Sequence, residues 1–316
     1  MLDELIREKI TSCKSLIPLL AVYSDSPAVF YQRAAPDASS GWQGAQVPRI
    51  DFIVDMQAEP SRNLSGILAI NIWCDTSVCD TEPGTIEKIV RGLFHKAIVS
   101  DNGTAYVFSW SRSDNFEAQK EDEQGGFETG YTMIFAIVAM PKVETTIPCP
   151  LAAINDFTKE FFPKAKIIGL DTFDGWLEPD ALAFYWEFSA MQNARRTNVC
   201  AWIDCVLECH IFTPDDATRA AVSSAMIEHL LCADHVLMRD KSPMRLLGAK
   251  VLPVSDAVGA GQIAYTGQYG VLLYDHYKRH ANPPVAAPLL THGYFSKAAG
   301  SALDMAASYS TKKETR

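Results

Sequence analysis

The chain has 316 residues and a mass of 34.8 kDa, which at roughly 150 residues per domain points to two domains. Hydrophobic residues make up 48% and charged residues 21%, ordinary globular values that exclude a wholly disordered, collagen-like or coiled-coil chain. Against 38 Asp and Glu stand 28 Lys and Arg, a net charge of −10. That balance excludes a protein gripping nucleic acid through its whole surface, but it suits DNA passing through an acidic, non-adhesive lumen.

No apolar stretch, Met133 to Met140 included, approaches the ~20 residues a bilayer needs. Met1 to Glu8 reads as a mixed-charge amphipathic helix, not a signal peptide, so no membrane partner is expected. Asn63-Leu64-Ser65 and Asn102-Gly103-Thr104 fit the glycosylation pattern, which has meaning only in a secreted chain.

In chain order, Leu2 to about Leu20 is expected as an amphipathic helix, with Leu2, Leu5, Ile6, Ile10, Cys13, Leu16 and Ile17 on one face. A short strand, Ala28 to Arg33, precedes a Ser/Gly/Pro-rich loop from Ala34 to Pro48. From Arg49 to Met56, Ile50, Phe52, Val54 and Met56 alternate with polar residues, the pattern of a strand with one buried face. A turn over Glu59 to Asn63 leads to a strand from Gly66 to Trp73. Thr81 is the expected N-cap of a helix with Pro83 in its first turn, running to about Lys96. Strand Ala105 to Trp110, a polar loop from Ser111 to Gly130 and strand Tyr131 to Met140 close the first half.

The second half repeats this order. Leu151 to Phe162 is a helix ended by Pro163, and Ile167 to Asp171 is a short strand. Strands Leu182 to Met191 and Val199 to Phe212 flank a polar turn, Gln192 to Asn198. A helix capped by Thr213 runs to about Leu231, followed by strands Arg245 to Pro253 and Gln262 to Tyr274. The expected architecture is therefore α+β, as two similar units, each a mostly antiparallel sheet with two helices on one face. The units span residues 1–140 and 151–280, with a Pro-rich linker at 141–150 and a C-terminal tail at 281–316.

Cysteine number and spacing give no chemistry. The chain has 8 cysteines in no disulfide framework. Cys205 and Cys209 fall on one face of a strand, ~13 Å apart at ~3.3 Å per residue, too far to share a zinc that holds each thiolate at ~2.3 Å. They read as buried thiols. Cys74 and Cys79 flank a turn and have the spacing for a transient disulfide or metal clip. Gly259-Ala260-Gly261 lacks the third glycine of a dinucleotide loop, and His276 and His280 lack the Glu of a zinc-protease helix. No catalytic residue, cofactor or metal is expected.

The surface features point to contacts. Glu117, Lys120, Glu121, Asp122, Glu123 and Glu128 crowd one loop with Gly125-Gly126 as a hinge, the composition either of a solvated charged loop or of an arm that orders on contact. Trp42 sits in a Ser/Gly loop, where an aromatic is either a lone exposed ring or an interface anchor.

The run Val47 to Asp55, then Glu59-Pro60-Ser61-Arg62-Asn63, then Gly66 to Cys74 and the Pro83 helix, resembles tail terminator and tail completion (neck) proteins of tailed bacteriophages. Ala264 to Asp275 resembles the closing strand of the same kind of unit. The likeness covers residues 1–140 most clearly and the second half by pattern; this chain departs from it in carrying the unit twice. The resemblance implies a virion structural protein, assembled in the host cytoplasm. It would form a six-fold or pseudo-symmetric ring of self-copies that ends tail-tube growth. Its partners would be the tail tube protein and the head–tail connector, with DNA only passing through. Within the resembling run, Arg49 and Arg62 join the candidate interface residues. The rival expectation is an intracellular enzyme or an adaptor module of another family.

Overall fold

A computed structural model describes residues 1–61, 64–75, 77, 80–119, 127–142, 148–252 and 262–273. Among these are four α-helices and fifteen strands, in two units. Of the described residues, the first unit takes 1–142 and 168–181, and the second takes 148–167, 182–252 and 262–273.

The first unit begins with helix α1, Leu2–Thr11, which buries Leu2, Ile6 and Ile10. It is shorter than expected: a 3-10 turn at Ile17–Leu19, with Pro18 inside it, carries the stripe onward through buried Leu16. The hairpin β1 (Val22–Tyr23) and β2 (Ser26–Pro27) turns through Ser24 and Asp25, both at positive φ. Strands β3 (Val29–Tyr31), β4 (Arg49–Ser61) and β5 (Leu64–Cys74) follow, then helix α2 (Pro83–Phe94), β6 (Ile98–Asp101), β7 (Thr104–Gln119) and β8 (Phe127–Met140). Helix α2 is capped at Glu82, one residue later than expected, with Pro83 at the first helical position.

The second unit has α3 (Pro150–Phe161) and β9 (Lys166–Ile167). Strand β10 (Gly175–Trp176) belongs to the first sheet. Then come β11 (Ala183–Arg196), β12 (Cys200–Phe212), α4 (Asp216–Ala233), β13 (His235–Leu237), β14 (Pro243–Val251) and β15 (Ile263–Leu272). Asp215, not Thr213, caps α4: its carboxylate accepts the Thr218 N–H at 2.8 Å.

The two sheets share one topology. Read from the short first strand, the orders are β3-β4-β5-β8-β7-β6 and β9-β11-β12-β15-β14-β13. In each sheet the first pair is parallel and every later pair antiparallel. In each, one helix precedes the sheet and the other links two strands in sequence, α2 joining β5 to β6 and α4 joining β12 to β13. Among the described residues only the first sheet has a seventh strand, β10, added beside β6.

One face of each sheet is the core. In the first unit α1 and α2 bury Ile6, Ile10, Val90 and Phe94 against Phe52, Ile70, Phe108 and Phe135. Trp176 of β10 completes this packing, its ring centroid 5.7 Å from Phe94 and 5.6 Å from Phe108, while its Nε1 donates to the Leu5 carbonyl at 3.1 Å. Thus a tryptophan from the expected second unit belongs to the first. In the second unit Trp186 is fully buried and donates to Thr158 Oγ1 of α3 at 2.9 Å.

Three expected loops are strands. Pairing of β4 with β5 reaches Ser61–Leu64, so the turn expected from Glu59 is narrower. Strand β7 runs through Gln119 and β8 starts at Phe127, so most of the Ser111–Gly130 loop is a hairpin. Strand β11 continues to Arg196, through the expected turn. Distal β11 is exposed on both faces from Ala190 to Arg196, so no hydrophobic alternation marks it; in the β7–β8 extension buried Glu128 and half-buried Phe116 stand among polar residues, and no alternation shows there either. Sequence reading also missed β6, β10 and β13, each four residues or shorter.

Candidate functional site

The expected interface residues separate into two groups. Arg62, Lys120, Glu121, Asp122 and Glu123 lie outside the described residues, as do Cys79, His276, His280 and the tail. Trp42, Arg49, Glu117 and Glu128 are placed, and of these Glu117 is exposed.

Trp42 serves its own loop. It bridges to Tyr23, packs its ring 5.0 Å from Tyr23 and 5.7 Å from Phe30, and donates its Nε1 to the Pro36 carbonyl at 3.0 Å. It is half-buried, so little of the indole remains to anchor a partner.

Arg49 and Glu128 were expected at an outer surface, and the structure turns them toward each other. Arg49 opens β4, and its two terminal nitrogens donate to the two carboxylate oxygens of Glu128 at 3.3 and 2.9 Å. Their side chains are 11% and 9% exposed. Asp37, from the loop before β4, adds a third contact at 3.4 Å. Glu128 therefore belongs to a strand and an ion pair, not to a solvated loop.

This pair ends a polar layer on the sheet face opposite the helices. Across the strands, Arg49 stands opposite Trp73, Trp73 opposite Gly130, and Gly130 opposite Phe116. The Arg49 guanidinium lies 5.3 Å from the Trp73 ring, and Phe116 meets that ring edge-on at 4.7 Å. Gly130 makes this possible: a Cβ there would strike the Ile72 carbonyl at 1.9 Å and the Phe116 ring at 2.7 Å. One layer along, Asp51 accepts from Asn71 Nδ2 at 2.7 Å and from Trp73 Nε1, and Asn71 accepts from Thr132 Oγ1 at 2.8 Å. Burial pushes the Asp51 carboxyl above the usual carboxylate range, against the pull of these donors and of Arg49.

The second unit buries a different polar cluster at the corresponding place. His210 Nε2 lies 3.1 Å from Glu187 Oε1, with the Tyr185 ring 6.0 Å from the imidazole. Beside them Ser189 donates to Glu208 at 2.6 Å and Gln268 to Asp204 at 2.7 Å. Sequence reading missed both clusters. Arg49, Asp51 and Asn71 alternate with the core residues of β4 and β5, so each was visible only as an outward-facing polar position.

Cys13, Cys149, Cys200, Cys205, Cys209 and Cys232 are free thiols. Cys205 and Cys209 are buried, and burial pushes the Cys205 thiol up to about 12 and the Cys209 thiol up as well, so neither is a thiolate near neutrality. Among the described residues no three His, Cys, Asp or Glu side chains gather as a metal-holding group. No described helix is long and apolar enough to cross a membrane. A shallow depression in the first unit, about 200 Å³, is lined by Lys142, Asp171 and Asp174 beside Gly103 and Gly169.

The distal hairpins β4–β5, β7–β8 and β11–β12 extend past the helices with exposed side chains such as Asp55, Glu117, Arg195 and Arg196. Comparison with protein-family models, curated proteins and solved structures returns no match.

Proposed function

We propose that this chain is a structural virion protein that forms a ring at the head-proximal end of a phage tail tube. There it ends tube growth and joins the tail to the head connector. The observation that carries this reading is the repeated topology: one α+β unit, used twice, with long hairpins and, among the described residues, sheet edges left open in both copies. A protein that works by repeated lateral contact needs such edges, and ring closure removes their aggregation liability. The family resemblance of the first unit supplies the tail context. The net charge of −10 suits a lumen through which DNA slides without sticking. In this reading the protein acts by shape and contact and carries no catalytic centre or cofactor. Its partners are its own copies, the tail tube protein and connector proteins.

The test is tube length. Tail tube protein polymerised with this chain should give tubes capped at one end, shorter as its proportion rises, with density added at the tip in electron micrographs. Tubes of unchanged length and bare ends would reject the reading.

A further inference from the structure

The two sheets carry the same three side chains in a row but complete them differently. In the first sheet Arg49 of β4, Trp73 of β5 and Gly130 of β8 stand opposite one another across neighbouring strands. In the second, Arg195 of β11, Trp202 of β12 and Gly270 of β15 do so, on the strands that hold the same places in the sheet order. The rows differ in position along the strands: Arg49 opens β4, and Arg195 comes near the end of β11. In each the arginine lies over the tryptophan ring, at 5.3 Å in the first and 6.0 Å in the second. In the second, too, the indole reaches the glycine, since a Cβ at Gly270 would stand 3.5 Å from Trp202 Cζ3.

Two carboxylates complete the first row. Glu128 takes both terminal nitrogens of Arg49, and Asp51 accepts the Trp73 indole N–H. Among the described residues the exposed Arg195 guanidinium has no ion-pair partner, and the N–H of half-buried Trp202 has no acceptor. The acidic residues on that face are engaged elsewhere: Asp204 accepts from Gln268 at 2.7 Å and Glu208 from Ser189 at 2.6 Å. The sequence shows where the difference arises. Glu128 stands two residues from Gly130, toward the nearer end of β8; two residues from Gly270, toward the nearer end of β15, stands Leu272, 52% exposed. From Ser189 to Cys200 the hairpin carries Arg195 and Arg196 and no acidic residue, in a chain of net charge −10.

We propose that Arg195 and Trp202 form a binding site for acidic side chains of a partner protein, one carboxylate on the guanidinium fork and a second on the indole N–H. The first unit names the ligand class, because the same two donors there hold Glu128 and Asp51. An extended partner segment suits the site: alternate residues of a strand present two side chains to one side, about 6.6 Å apart. The site stands on the comparison of the two rows and not on the ring reading.

Calorimetric titration of the full-length chain with a short peptide alternating Glu and Thr tests it, against a control peptide alternating Gln and Thr. The Glu peptide should bind and the Gln peptide should not. Arg195→Gln should weaken binding at least about tenfold, as loss of a charge-assisted pair does. Arg195→Lys should recover only part of it, because an ammonium lacks the planar fork. Trp202→Phe keeps a ring and removes the N–H, and should weaken binding about threefold. Leu272→Glu should abolish binding by supplying a carboxylate from within the chain, as Glu128 does for Arg49, while Leu272→Gln leaves it intact. Far-UV circular dichroism checks that each variant is folded. No binding of the Glu peptide to the wild type at about 1 mM, equal binding of the Gln peptide, or binding that survives Arg195→Gln would overturn the site. Tighter binding of a single-stranded oligonucleotide of equal charge would overturn it as well, by assigning the donors to phosphate.

Discussion

The two units place different residues on the same strand order. Phe52 faces Ile70 in the first sheet, where Trp186 faces Cys209 in the second. The larger ring is matched by the smaller partner, so the volume of the pair is nearly kept while both identities change. On the opposite face, Asp51 beside Asn71 is replaced by Tyr185 beside His210. Each pair keeps its character, apolar toward the helices and hydrogen-bonding away from them. What the repeat preserves is pattern, volume and polar satisfaction, which is why it is visible as element order and not as sequence identity.

That comparison can be broken most forcefully in the cores. Phe94→Ala and Trp186→Ala should each cost about 4 kcal/mol, since both side chains are fully buried. Hydrogen exchange should localise the damage: faster exchange in β5, β7 and β8 for the first, in β11, β12 and β15 for the second. Trp176→Ala should loosen the first set despite lying beyond the linker in sequence.

Next in size is the ion pair specific to the first unit. Arg49→Ala leaves Glu128 buried without its main partner and should cost about 3 kcal/mol in denaturant unfolding. Adding Glu128→Gln should recover part of the loss. If Arg49→Ala is neutral, the pair is a surface contact after all.

The volume match is sharpened by Cys209→Leu, which adds carbon beside Trp186 and should destabilise by about 1–3 kcal/mol. A smaller effect of opposite sign is expected at Asn155 of α3, buried with both amide atoms lacking partners in the described structure. Asn155→Leu should raise the melting temperature by the equivalent of about 1 kcal/mol. A fall would show that the amide has a partner.

The smallest effect concerns the thiols. Cys205 and Cys209 should resist thiol reagents in native protein at pH 8, while exposed Cys232 reacts. Their raised pKa values hold the proton in the folded state when the unfolded chain has lost it. Their contribution to stability is therefore present below the ordinary thiol value of 9.0 and lost as pH rises from there toward about 12. A protein whose stability is flat across that window would contradict the burial.

Legibility in the sequence followed burial. Strand β5 was found because Leu68, Ile70 and Ile72 alternate with less buried neighbours over a covered face. Distal β11 was read as a loop because its residues are exposed on both faces, and distal β7 because its inward contacts are a serine bonded to Glu87 of α2 and a single Phe116 among polar neighbours, which make no apolar alternation. Strand β6 had a local signal that was read for another purpose: Asn102-Gly103, both at positive φ, forms the two-residue turn between paired Asp101 and Thr104. Trp176 could not be assigned from sequence, since a two-residue strand has no period. The Arg49–Glu128 pair was equally hidden, because it joins residues 79 apart whose meeting depends on sheet order.

Native mass spectrometry of the intact chain tests the ring most directly. The expected result is one dominant closed assembly whose copy number stays fixed as protein concentration rises about a hundredfold, with a central opening in micrographs of the same sample. A spectrum of single chains throughout, or a ladder of masses that lengthens with concentration, would contradict it.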